Sequence, residues 1–182
     1  MGLFDAVAAS PTEEREPRPG DDLVVPADVV MDRAFTLACA PGDVWPWIAQ
    51  LGKRRAGWYL PARVERLVPR RRRAAVRIVD RWQHLAPGDV IPDYGGRDET
   101  FVVDEIEPPH VVVYRSRRGR TDVSWSITLR PMDGGTRVLL RLRLGPVRHV
   151  RLAETLGGAV DALTIAGLAA GLRERLSPPA AP

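Results

Sequence analysis

Apolar and polar residues alternate along four stretches in the second half of the chain, and the alternation predicts a sheet. Residues 101–106 and 111–116 read as two strands joined by Glu107-Pro108-Pro109-His110. Residues 122–129 and 136–144 read as two more, and the Gly-containing loop 131–135 between them marks a hairpin. In this hairpin Val123, Trp125, Ile127 and Leu129 alternate with Ser124, Ser126 and Thr128. Val138, Leu140, Leu142 and Leu144 alternate with Arg137, Leu139, Arg141 and Arg143. One dry face and one mostly wet face are expected of an antiparallel sheet covered on one side. Upstream, residues 31–39 alternate as a strand. Val76 and Ile78 predict another, and residues 90–94 extend away from the Pro87-Gly88 turn.

The cover for the dry face is predicted over residues 147–176. This segment lacks proline and carries Leu152, Leu156, Val160, Leu163, Gly167 and Ala170 at helical spacing. Such a helix is on the order of 40 Å long, enough to cross a sheet. Gly157, Gly158, Gly167 and Gly171 each cost about 1 kcal/mol against Ala inside it. Close approach to the sheet, a cavity beside the helix, or a kink at Gly157-Gly158 would each account for them. A shorter helix starts at Pro41-Gly42-Asp43, where proline and an acid suit a first turn, and stops at Gly52. Residues 62–68 read as a second short helix. Residues 1–22, rich in Pro, Glu, Arg and Gly, read as a flexible tail, with 177–182 a disordered one. One domain over 23–176 is expected between them.

Composition narrows the picture little. The 182 residues carry a net charge of +4, and Lys53 is the only lysine among many arginines. That bias, with abundant Ala, Val, Gly and Pro, reads as compositional before it reads as functional. The lone Cys39 excludes an internal disulfide and reads as a small buried hydrophobe in a reducing cytosol. A secretory signal is not legible at the N-terminus, Ala6 stands where a myristoylation signal needs Ser or Thr, and residues 163–172 are too short to span a bilayer. A cytoplasmic protein is the resulting expectation.

The chemistry is concentrated in aromatic residues. Trp45, Trp47, Trp58 and Tyr59 crowd into one short helix and the turn after it. So many rings in one place predict the wall or lid of a cavity for an apolar guest. Trp47, Gln50, Trp58, Tyr59 and Trp82 are candidate wall residues, with Tyr59, Trp82 and Gln50 offering single polar contacts. Tyr114, Trp125, Leu142, Leu163 and Gly167 join them from the strands and the closing helix, although Trp125 could equally be core.

Catalytic motifs are weak by comparison. There is no G-x-S-x-G elbow, Cys/His pair, phosphate loop or metal-ligand spacing, and His84, His110 and His149 lie far apart beside turns. No cofactor is therefore expected. Asp89, Asp93 and Tyr94 follow a turn at the expected cavity mouth, where a buried carboxyl with a raised pKa could act as general acid or base. Asp89 also reads as an ordinary turn residue. Arg115, Arg117 and Arg118 could hold an anionic group or form a solvated strand end. The Arg70–Arg73 run is a solvated loop before it is a nucleic-acid site, since no reader motif adjoins it. Weak contact with an anionic membrane surface is consistent with it.

The order of strand, short helices, antiparallel strands and long final helix resembles the helix-grip fold. The residues resemble the SRPBCC superfamily, which includes START domains, polyketide cyclases/dehydrases and birch-pollen-allergen-like proteins. Three blocks carry the resemblance, which spans roughly residues 20–176: APGDVWPWIAQLGKRRAGWY (40–59), RIVDRWQHLAPGDVI (77–91) and Ser124-Trp125-Ser126. It implies an α+β fold, a curved antiparallel β-sheet wrapped around a long C-terminal helix, with two short helices after the first strand. It also implies a cavity for a hydrophobic guest such as a lipid, polyketide or aromatic metabolite. Some members are cyclases or dehydratases, so the resemblance leaves a cavity enzyme open beside a binding protein. Leu60-Pro61-Ala62 stands where relatives carry polar, tyrosine-containing residues, which removes the polar contact expected there.

Overall fold

A computed structural model describes residues 5–177, so 1–4 of the expected N-terminal tail and 178–182 of the expected C-terminal tail (177–182) lie outside the described residues. Six strands form one antiparallel sheet in the order β1-β6-β5-β4-β3-β2. They are β1 (Val29–Leu37), β2 (Val90–Pro92), β3 (Thr100–Glu107), β4 (Val111–Arg118), β5 (Thr121–Met132) and β6 (Gly135–Gly145). The chain's first strand thus closes against its last, with Phe35 opposite Val138 and Met31 opposite Leu142. A register shift between Val103 and Glu105 interrupts the β3–β4 ladder. Such a bulge bends its strand and adds twist.

Two helices follow β1: α2 (Pro41–Ala49) and α3 (Ala62–Glu65), the short α1 (Pro11–Arg15) preceding it. The last helix, α4, runs over Val150–Leu176, with a π-helical turn at Ala153–Gly157. The inward face of the sheet, the buried face of α4 and most of α2 make one core. Phe35, Leu37, Ile48, Ile127, Leu129, Leu140, Leu168 and Leu172 are almost wholly excluded from solvent in it. Full burial of each such side chain stabilises by about 1.5–3 kcal/mol. The helix-grip arrangement expected from the sequence is the one observed.

The α4 glycines divide by environment. At Gly171 a Cβ would stand 2.6 Å from the backbone carbon of Tyr59, and at Gly167 2.8 Å from Leu60 Cδ2. Both let the helix press against the turn that follows α2, rather than against the sheet. At the π turn, Gly158 has room, whereas a Cβ at Gly157 would meet Met31 Cε on β1 at 3.3 Å.

Two local expectations change. Val76 and Ile78 form no strand: residues 66–89 contain only turns and 3-10 segments, and Val76 is 78% exposed. Isolated apolar residues between arginines and a turn have no neighbouring strand to pair with. The sheet's outer face is also not wet. Residues 8–28 lie across it, although the composition of 1–22 reads as a mobile tail. Ser10 and Glu13 form a reciprocal cap on α1. Glu13 takes two hydrogen bonds from the Arg137 guanidinium, at 2.8 and 2.9 Å. Arg141, almost fully buried, donates to Asp32, to Asp21 and to the backbone carbonyls of Glu14 and Glu16. Ser124, Ser126 and Leu139 are buried beneath this strap. Its attachment is ionic, which explains why hydrophobic patterning does not reveal it.

Candidate functional site

Between the inward face of the sheet and the first half of α4 lies a cavity of about 410 Å³. Trp125 and Leu142 rise from adjacent positions on β5 and β6, and Phe101 from β3. Ile165, Thr164 and Asp161 come from α4, Trp58 from the turn after α2, and Asp93, Tyr94 and Gly95 from the loop after β2. Alternation puts Trp125 and Leu142 on the dry face, where both stay half-buried.

The rings form a connected wall. Trp125 stacks on Tyr114 at 5.5 Å and on Trp58 at 6.1 Å, and Phe101 lies 6.0 Å from Trp125. Tyr94 meets Trp58 edge-on at 6.4 Å. Contacts of this kind add about 0.5–1.5 kcal/mol each beyond area burial and hold rings in fixed orientations. Trp58 is fixed at its polar end too, because its Nε1 donates to the Thr164 carbonyl at 3.2 Å. That bond ties the turn to α4 at the cavity's edge.

Polar groups sit at two points. Asp93 pairs with Arg118, whose guanidinium lies 5.2 Å over the Phe101 ring. The loop carrying Asp93 is pinned by Lys53, whose Nζ donates to the carbonyls of Asp93 and Gly96 at 2.7 and 2.9 Å. On the α4 side, Asp161 approaches Arg33 at 2.9 Å as an ion pair without hydrogen-bond alignment. Burial pushes the Asp161 carboxyl pKa up, and the Arg33 charge only partly opposes this. Burial likewise raises the Tyr94 phenol. The cavity is therefore apolar and aromatic, with two carboxyls in its wall, Asp93 paired with Arg118 and Asp161 beside Arg33.

The structure gathers six of the sequence candidates around this space: Trp58, Trp125 and Leu142, with Asp93, Tyr94 and Arg118 at the rim. Tyr114 lies behind Trp125 and lines a narrow extension of about 40 Å³. The remaining candidates stand elsewhere. Trp47 and Tyr59 pack edge to face at 5.5 Å in the core, and the Tyr59 hydroxyl donates to the Trp47 carbonyl at 2.9 Å. Gln50 is a buried clamp: its Oε1 accepts from Val79 N at 3.0 Å and its Nε2 donates to Arg77 O at 3.3 Å. Trp82 lies under the Arg81 guanidinium. Leu163 faces outward and is 57% exposed, and Gly167 serves the contact with Leu60. Asp89 accepts from the Ala86 N–H at 3.0 Å, as a turn residue does.

Sequence reasoning passed over Asp161, Thr164 and Ile165. The signal for Asp161 was present as a lone acid within the otherwise apolar 156–172 stretch. Its partner Arg33 sits far away in sequence on β1, so the pair shows only in three dimensions.

No protein-family model matches the chain, and no curated protein matches it. Solved structures do. The protein MLL2253 from Mesorhizobium loti is 15% identical, with a TM-score of 0.54 over 82% of this chain and 100% of that one. CalU16 from Micromonospora echinospora is 15% identical, with a TM-score of 0.50 over 82% of this chain and 77% of that one. CV1439 from Chromobacterium violaceum is 14% identical, with a TM-score of 0.50 over 82% of this chain and 97% of that one. At these identities the likeness establishes the shared fold.

Proposed function

We propose that this chain is a member of the SRPBCC superfamily that binds a small hydrophobic molecule bearing at least one ring in the cavity between sheet and α4. The observation that carries the reading is the convergence of Trp58, Tyr94, Phe101 and Trp125 on one space of about 410 Å³. That volume falls in the range of small-molecule sites, which are mostly apolar with a few placed polar groups. Here the placed groups are Asp161 and the Asp93–Arg118 pair. A ring of the guest would meet the indole and phenyl faces, and a hydroxyl or keto group would meet the Asp161 carboxyl.

The experiment is a thermal-shift and tryptophan-fluorescence screen against flat, ring-bearing metabolites. A guest that binds only the folded chain raises the midpoint with concentration. It should also quench the emission of Trp58 and Trp125. A library that produces neither change rejects the reading.

Asp161 supports a second reading, a cyclase- or dehydratase-type enzyme. A carboxyl with a raised pKa inside an apolar cavity can hold a proton for a guest oxygen or accept one from a guest carbon acid. The original candidates fit this role less well. Asp89 is spent in its turn, and Asp93 is held by Arg118. Turnover of a model polyketide that is lost in Asp161→Asn but survives Asp89→Asn would establish the enzyme reading.

A further inference from the structure

The second half of α4 is covered and the first half is not. Leu60 lies on Gly167, the Tyr59–Leu60 backbone on Gly171, and the Ala62 N–H donates to Glu174 at 2.6 Å. Before Gly167 the outward side of the helix carries Leu152, Leu156, Val160 and Leu163, which are 56%, 63%, 65% and 57% exposed. Their spacing of four, four and three residues sets them in one stripe. Ala159 falls between them, and no charged residue shares this stripe. Glu154 and Asp161 turn instead toward Arg33 and the sheet edge or the cavity.

The stripe's N-terminal end is basic. Arg148 and Arg151 flank it, both exposed and neither in an ion pair among the described residues. Arg120 is on the same end of the molecule, because the β4–β5 turn is tied to the β6–α4 connection by the Thr121 hydroxyl donating to the Pro146 carbonyl at 2.8 Å. Arg120 is exposed and likewise without an ion pair among the described residues.

We propose that this face docks on a lipid bilayer bearing anionic headgroups, with the leucines in the interface and Arg120, Arg148 and Arg151 on the headgroups. Two observations favour a bilayer over a second copy of the chain. The stripe consists of four large apolar side chains and Ala159, well short of the roughly 800 Å² per partner that a stable dimer buries. Two copies of a chain with net charge +4 repel each other, whereas an anionic surface attracts the unpaired arginines. The helix lies on the membrane and does not cross it. Val150–Leu176 is long enough to span, and its most apolar 18-residue stretch has a mean hydropathy of 1.5. Its second half, however, is locked to the core through Leu168 and Leu172, and it ends in Arg173, Glu174 and Arg175. Docking would bring the cavity's α4 wall to the membrane surface, since Thr164 and Ile165 adjoin Leu163.

The test is flotation of the full chain with vesicles of phosphatidylcholine alone and with vesicles in which a third of the lipid is phosphatidylserine. Binding is expected to the anionic vesicles only, weakened several-fold by Arg148→Gln with Arg151→Gln and by raised salt. It should be lost in Leu156→Glu with Leu163→Glu. These positions are exposed, so unchanged circular dichroism and melting of the variants confirm that the fold is intact. Absence from both vesicle types, or binding that the glutamates leave unchanged, overturns the proposal. So does a dimer, seen by analytical ultracentrifugation, that the same glutamates dissolve. The readout uses no cavity ligand, so its failure and that of the ligand reading are separate results.

Discussion

Two glycines in the same helix should respond to the same substitution with opposite signs. In Gly171→Ala the new methyl would stand 2.6 Å from the Tyr59 carbonyl carbon, 2.7 Å from the Leu60 nitrogen and 2.8 Å from the Tyr59 oxygen. All three are backbone atoms, so relief requires moving the turn or the helix. Overpacking of this kind costs about 1–3 kcal/mol. The helix-propensity gain of about 1 kcal/mol for replacing glycine offsets only part of it. In Gly158→Ala the nearest atom is the Arg33 Nη2 at 3.8 Å, an ordinary contact with the end of a flexible side chain. The Gly158 backbone is already right-handed helical, with φ −61° and ψ −38°. Here the propensity gain of up to about 1 kcal/mol should appear nearly whole. The two variants should therefore differ by about 2 kcal/mol, which is a gap of about 4–8 °C in Tm for a chain of this size. Urea denaturation with both melts checks it. Two changes of the same sign and similar size would refute the claim that α4 presses on the 57–60 turn. Gly171→Ala should also weaken ligand binding beyond its effect on stability, because the displaced turn carries Trp58.

Trp125→Ala removes the ring that links Tyr114, Trp58 and Phe101. It should cost about 3 kcal/mol of stability and lower the affinity for a ring-bearing guest at least about tenfold, as read by fluorescence titration against Leu163→Ala, which should leave affinity unchanged. Glu13 should make the strap acid-labile: the Arg137 guanidinium holds its carboxyl down to about 2 from an ordinary 4.5. A depressed acid contributes stability that is present above 4.5 and lost as pH falls toward 2, at most about 3 kcal/mol here. Glu13→Gln should therefore lose stability at pH 7 and little near pH 2, measured by urea unfolding at both. Asp161 should act with the opposite sign, because burial raises its pKa above the ordinary 3.8. The folded chain then binds the proton more tightly than the unfolded one, and stability falls as pH rises from 3.8 through the folded value. Asp161→Asn should remove that slope from the pH–stability curve; an unchanged slope would place the carboxyl in solvent.

The sheet and its closing helix were legible because burial on one face leaves a period in the sequence. Val123 to Leu129 and Val138 to Leu144 each write that period over one long strand, and the observed register sets Trp125 beside Leu142 as alternation requires. Segment 66–89 misleads for the converse reason. Val76 and Ile78 mimic the first steps of a strand, but no neighbour pairs with them. The strap was illegible in principle from hydrophobicity. Glu13 and Asp21 look like solvated acids, and only the row Arg137, Arg141 and Arg143 on the outer face of β6 turns them into partners, while Arg18 reaches Asp32 on β1. Charge complementarity between that row and the acids upstream is the signal a reader could use: three arginines on one face of a strand, interrupted only by Leu139, have no reason to share it unless something anionic covers it.

The site divides along the same line. Rings announce themselves by type, yet ring density does not say which rings meet a void. Trp47 and Tyr59 are as aromatic as Trp58, but they turn inward on each other and complete the core beneath α2. Trp58 follows Gly57, whose φ of 84° reverses the chain and throws the next side chain toward α4. There the indole N–H finds the Thr164 carbonyl. That carbonyl accepts a bond from outside its own helix, three residues past the Asp161 that faces Arg33. The cavity therefore depends on one turn being held at both ends. Gly171 lets the Tyr59 backbone approach the helix, and Trp58 Nε1 fixes the distance on the open side. Trp58→Phe tests this geometry apart from hydrophobicity. It keeps a ring in place and removes the N–H, so stability should fall by about 1 kcal/mol. Guest affinity should fall more steeply than the smaller ring area alone would dictate, because the phenyl is free to turn into the void. Equal losses in Trp58→Phe and in an area-matched change at Phe101 would show that the bond to Thr164 does not organise the pocket.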